Sequence, residues 1–107
     1  MAFFELRQYR IRPGQRDAWL KMMEEEIVPF QISKGMVISG MFFGEEDKDL
    51  FVWMRRFESE EERERLYEAV YQSDTWKNTM QARVGELIDR EQIKVTRLEA
   101  TPKSVTR

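Results

Sequence analysis

The sequence predicts an α+β domain of order βαββαβ, and three observations carry that reading. Two period-two apolar stretches lie at either end of the chain, a hairpin of two apolar runs lies in its middle, and an amphipathic helical segment fills each gap. Right-handed crossovers between such elements give a split-βαβ, four-stranded antiparallel sheet in spatial order 4-1-3-2 with helices on one face. At 107 residues the chain fits one domain, assigned to residues 1–99, followed by a polar tail over 100–107.

The first strand is read over residues 3–12 (FFELRQYRIR) and is stopped by Pro13-Gly14. The helix after it carries Trp19, Met23, Ile27 and Phe30 at helical spacing. Pro29 lacks a donor and clashes with the preceding turn, so the helix is expected to kink or end nearby, with Gly35 as a left-handed terminus. MVISGMFF (36–43) and LFVWMRRF (50–57) form the hairpin, joined by the acidic turn GEEDKD. Ser59 with Glu62 makes a capping box, so the second helix starts there and buries Leu66, Ala69 and Val70. Either Ser73 or Asp74 starts a further helical segment carrying Trp76, Met80, Val84, Leu87 and Ile88, and QIKVTRLE (92–99) is the last strand. The tail from Ala100 is expected to be loose unless a partner holds it.

A sheet covered by helices on one side should alternate apolar and polar residues. The two hairpin strands do not. Leu50, Val52 and Met54 oppose Phe51, Trp53 and Phe57; Val37, Met41 and Phe43 oppose Met36, Ile38 and Phe42. Both faces want cover, and a second copy of the chain packed on the open face supplies it, so a homodimer through the sheet is expected, with assembly beyond a dimer left open.

Composition narrows the chemistry. With 18 Lys+Arg against 20 Asp+Glu, the net charge of −2 gives no general attraction to nucleic acid or to an anionic membrane. Neither Cys nor His is present, which removes thiol nucleophiles, His-based triads and His-liganded zinc. No cofactor or metal site is expected. Carboxylates in GEEDKD are spaced loosely like a calcium loop but lack its distal Glu and its placed Gly, so a solvated turn explains them better. No stretch approaches membrane-spanning length, and a cytoplasmic location is expected.

The candidate site residues stand on the two central strands and the second helix. Glu5, Arg7 and Tyr9 alternate on one face of the first strand, where a charge costs several kcal/mol unless paired. Glu5 is read as a member of a buried ion pair or of the dimer seam, with the seam preferred, and Arg7 as either a seam or a cleft residue. Trp53 and Arg55 share a face of the third strand, suited to stacking on a flat acid and bonding its charge; the plainer alternative makes Trp53 a core residue and Arg55 a strand-end cation. Arg63 is placed to pair with Glu60 or to reach Glu5. Tyr67 and Tyr71, four apart, line a cleft or form an ordinary half-buried helix face.

These motifs together resemble the NIPSNAP family of the dimeric α+β-barrel, ferredoxin-like superfamily. The resemblance rests on FELRQYRIRPG at 4–14, Pro29, Gly35, SEEER at 59–63 and Trp76, and spans roughly residues 3–99. It implies a four-stranded sheet, two such sheets forming a barrel across a dimer, a cleft between sheet and helices, and a bacterial single-domain member; it implies no reaction. Members of the family often carry His and then Trp in the third strand, where this chain has Trp53 and Arg55. The favoured expectation is therefore a homodimer that binds a small, partly apolar, acidic molecule at Arg7, Tyr9, Trp53, Arg55, Arg63, Tyr67 and Tyr71. The alternatives are a cofactor-independent oxygenase or isomerase, by analogy of fold, and a dimerisation module for a protein partner.

Overall fold

A computed structural model describes residues 1–107. Strand β1 spans Phe3–Ile11, β2 Val37–Phe43, β3 Leu50–Phe57 and β4 Ile88–Leu98. They form one antiparallel sheet in order β2-β3-β1-β4, so β1 and β3 are central as the sequence predicts. Three helices pack on one face of it. Helix α1 runs through Arg16–Met22, a π-helical segment Met23–Ile27 and Val28–Ser33. Helix α2 is Glu60–Tyr71, and α3 joins a π-helical segment, Trp76–Met80, to Gln81–Leu87. No helix is long and apolar enough to cross a membrane.

The local devices account for most boundaries. Ser59 accepts the Glu62 N–H at 3.1 Å, but Glu62 returns its carboxylate to the Glu58 N–H rather than to Ser59 itself. Ser73, not Asp74, caps the start of α3 by accepting the Trp76 N–H at 3.1 Å. Gly35 ends α1 at φ 106°, and an added Cβ there would meet Leu66 Cδ2 at 3.2 Å.

Several expectations are corrected. At Pro29 the helix is distorted rather than ended, and it runs on to Ser33 before Gly35. The wide turn just before it, where the Val28 N–H reaches back five residues to the Met23 carbonyl, accommodates a residue that cannot donate and would crowd a tight turn. Ile88 leaves the helical stripe: α3 stops at Leu87, and Ile88 opens β4 opposite Ile11. In β2 the strict alternation fails because the register shifts between Ile38 and Gly40, leaving Ser39 as the extra residue. Ile38, Met41 and Phe43 then share the helix side with their partners Arg55, Trp53 and Phe51, whereas Val37 and Phe42 stand exposed on the other side.

The core lies between sheet and helices. Its larger part joins Tyr9, Trp19, Met23, Phe51, Trp53 and Ile88; a smaller part joins Phe3, Met36, Phe57, Leu66 and Val70. On the open face Leu6, Val52 and Met54 are half-buried and Phe42 is 56% exposed. Phe4 on that face is buried, because the tail folds back instead of hanging loose. Residues Glu99 to Thr106 border Phe4 and Met54, and Arg56 Nε donates to the Arg107 carbonyl at 2.7 Å.

Candidate functional site

β1 and β3 lie side by side with Glu5 opposite Arg55 and Arg7 opposite Trp53. This pairing, together with the side-chain period of two, sends all four toward the helices. Glu5 and Arg55 are 1% and 0% exposed. Arg55 Nη2 donates to Glu5 Oε1 at 3.1 Å and to the Tyr67 hydroxyl at 2.6 Å; its Nη1 donates to the Tyr71 hydroxyl at 2.8 Å and to Gln31 Oε1 at 3.0 Å. Tyr67 in turn donates to Glu5 Oε1, and Arg63 Nε reaches Glu5 Oε2 at 2.7 Å while its Nη1 bonds Glu60 at 3.3 Å.

Glu5 thus belongs to a buried ion pair under the helices and not to a seam on the open face: its oxygens are occupied by Arg55 of β3 and by Arg63 and Tyr67 of α2, on the helix side of the sheet. Arg55 is likewise no strand-end cation reaching solvent. Its guanidinium lies 4.7 Å from the Trp53 ring centre and 5.0 Å from that of Tyr67, so aromatic faces complete its surroundings.

Burial by itself would raise the pKa of Glu5, but hydrogen bonds from Tyr67 and Arg63 and the charges of Arg55 and Arg63 outweigh it and hold the carboxyl below its usual value. Burial pushes the Tyr67 hydroxyl up to about 12 against the opposing charge of Arg55, so it stays protonated and serves as donor to Glu5. Arg7 and Arg55 are held in their charged forms by the surrounding tyrosine oxygens, despite burial.

Beside this network lies a partly open cavity of about 100 Å³ between sheet and helices. Of the candidate residues, Arg7, Tyr9, Trp53 and Tyr71 line it; Glu5, Arg55, Arg63 and Tyr67 stand behind it and hold the lining in place. Arg7 donates Nε to the Tyr9 hydroxyl at 2.9 Å and Nη1 to that of Tyr67 at 3.5 Å, and no carboxylate comes within salt-bridge distance of it. Tyr9 and Trp53 meet edge to face at 6.2 Å, and Tyr71 and Trp76 do so at 4.9 Å. Both π-helical segments contribute to the wall, through Met23, Ile27 and Trp76. Such segments recur at functional sites because they turn side chains out of helical phase.

Sequence reasoning missed Gln31 and treated Trp19 and Trp76 as packing alone. Gln31 is 1% exposed and bridges Arg55 to Tyr71, donating to the latter at 3.3 Å. Its signal was present: a polar residue four positions after Ile27 on the buried stripe of α1. The hairpin turn is accounted for without a ligand, since Asp47 takes Arg10 at 2.6 and 3.1 Å. No group of three or more acidic side chains is placed to hold a metal ion.

A family model described as NIPSNAP matches residues 4–102. Among solved structures, a NIPSNAP family protein from Agrobacterium tumefaciens superposes with a TM-score of 0.89 at 24% identity, over 100% of both chains. A second from that organism, described as of unknown function, gives 0.88 at 23% over 99% of this chain and 94% of the other. An uncharacterized NIPSNAP-like domain protein from Burkholderia xenovorans gives 0.85 at 19%, over 96% and 88%. No curated protein matches the sequence.

Proposed function

The chain belongs to the NIPSNAP family, and from that premise we propose that it is a binding module: a homodimer, each protomer holding a small, partly apolar acid in the cavity between sheet and helices. The observation that carries this reading is Arg7, a half-buried cation without a carboxylate, set in a cavity walled by Tyr9, Trp53, Tyr71 and Trp76. A charge in such a place is costly unless an anion meets it, and the aromatic walls suit the rest of an amphipathic molecule. Binding is favoured over turnover because Glu5 and Tyr67 are bonded to each other behind the cavity, and Tyr67 keeps its proton to about 12. Neither is poised as a general base.

The homodimer rests on the open sheet face, where Val37 and Phe42 are exposed beside the half-buried Leu6 and Val52. A bacterial origin belongs to the same reading, since the solved relatives named above come from bacteria. A cytoplasmic location is carried with it and is checked by fractionating cells. Binding is tested by unfolding temperature against a library of small acids. A ligand at a hundred times its Kd stabilises by about 2.7 kcal/mol, a shift of roughly 10 °C for a domain of this size. Arg7→Ala should abolish the shift; a library that moves nothing refutes the reading. Light scattering of Phe42→Glu, expected monomeric beside a dimeric wild type, tests the second part.

A further inference from the structure

From the charge and donor inventory of the same cavity we propose that its ligand is a compact, flat monocarboxylate no larger than about one ring, which rests on the binding reading above. Glu5 and Arg55 are fully buried, and Arg7 is half-buried. Glu5 meets both Arg55 and Arg63, Glu60 meets Arg63 and Arg97, and Arg7 has no carboxylate. Among the cavity-lining residues, Arg7 is a half-buried cation without a carboxylate and Arg90 an exposed one, so a single carboxylate meets Arg7, whereas a second would reach only the solvated Arg90.

The hydrogen-bonding groups are equally one-sided. Only two N–H groups of Arg7 reach hydroxyls, Nε to Tyr9 and Nη1 to Tyr67, out of the five that a guanidinium carries. The hydroxyls of Tyr9 and Tyr71 accept from Arg7, Arg55 and Gln31, which leaves the proton of each free to donate. Trp53 Nε1 is buried with no acceptor, on a side chain only 2% exposed. A buried donor without an acceptor costs about 1–3 kcal/mol. A carboxylate, which only accepts and offers about four lone-pair sites, fits a wall of this kind; a neutral amide brings donors where acceptors are wanted.

Size and shape close the description. An apolar cavity of about 150 Å³ holds benzene, and this one has about 100 Å³ with one side open. An alkyl chain of fatty-acid length would leave most of its carbons outside, while a short unsaturated acid, or one ring reaching into the open side, can lie between the edge-to-face pairs Tyr9–Trp53 and Tyr71–Trp76.

Isothermal titration of the full chain with benzoate, crotonate, benzamide, terephthalate and decanoate tests this. Benzoate or crotonate should bind at least about tenfold tighter than the neutral, dianionic and long-chain probes, the ratio expected of a charge-assisted bond. Arg7→Met should erase the preference for benzoate over benzamide. Should that variant not fold, Arg7→Lys should keep the preference at reduced affinity, and Trp53→Phe should weaken benzoate with the ring wall retained. Equal binding of benzamide, or tighter binding of terephthalate or decanoate, overturns the monocarboxylate assignment and leaves the binding module standing. If no acid binds at all, the binding reading falls and this assignment with it.

Discussion

Glu5→Gln removes one charge and almost no volume, so its effect isolates the buried pair. Arg55 is wholly buried, and Glu5 is the only carboxylate within salt-bridge reach of it. Glu60, the next carboxylate along, is already shared between Arg63 and Arg97. Three donors converge on the Glu5 oxygens, from Arg55, Arg63 and Tyr67. A glutamine keeps one acceptor oxygen and turns an N–H₂ toward groups that are themselves donors. Taking one partner from a buried pair costs about 3–5 kcal/mol, against a total stability of about 5–15 kcal/mol. With an m-value of about 2 kcal/mol per M, the urea midpoint should fall by roughly 2 M with its slope unchanged. Tryptophan fluorescence and far-UV circular dichroism report the transition. The double replacement Glu5→Leu with Arg55→Met should recover a large part of the loss, because no charge is then left buried. A Glu5→Gln variant within about 1 kcal/mol of wild type would refute the reasoning, since Arg55 would then have found compensation that the geometry does not provide.

The same group sets an acid limit: its folded pKa lies below the unfolded value near 4.5, so its stabilisation is present above that pH and is lost as pH falls through the folded value, which urea midpoints across the acid range will show. At the alkaline end Tyr67, raised to about 12 from 10.0, keeps its proton in the folded state longer than in the unfolded one; stability should decline between those values, and ultraviolet titration should find a tyrosine that ionises only near or beyond unfolding. Ser59→Ala should cost about 1 kcal/mol through the lost cap on Glu62, measured by thermal unfolding. Gly35→Ala should cost about 1–2 kcal/mol, since φ 106° is strained for any side chain and the new Cβ presses on Leu66; no loss would mean that the end of α1 adjusts freely.

Element order, the central placement of β1 and β3 and the caps were legible in the sequence, because apolar periodicity, Ser59 and Gly35 act locally. The π-helical segments were not. They widen turns at places that no residue pattern marks; Pro29 pointed to a kink or an end nearby without saying that the distortion lies in the turn before it. The bulge was marked only by Ser39-Gly40: the rest of VISGMFF is apolar on both faces, so a one-residue shift puts no charged residue out of place to betray it. Within the candidate site, the residue types were visible but their division of labour was not. Arg7 and Arg55 stand two apart on adjacent strands' inward faces and look equivalent in sequence. Only the pairing of β1 with β3 gives Glu5 to Arg55 and leaves Arg7 facing the cavity. Gln31 was legible by position, four residues after Ile27 on the buried stripe, but its partners Arg55 and Tyr71 come from β3 and α2 and were not.

The opposition of Glu5 and Arg55 also bears on how the chain finds its pairing. A slip of two residues between β1 and β3 keeps every side chain on its proper face, so hydrophobicity alone does not forbid it. Slipped one way, Arg55 would sit across from Arg7, two cations sealed under the helices; slipped the other way, it would sit across from Phe3 with no countercharge at all. Only one alignment neutralises that arginine. The buried pair therefore acts as a proofreader of strand alignment, penalising near-native misfolds that an all-apolar centre would accept.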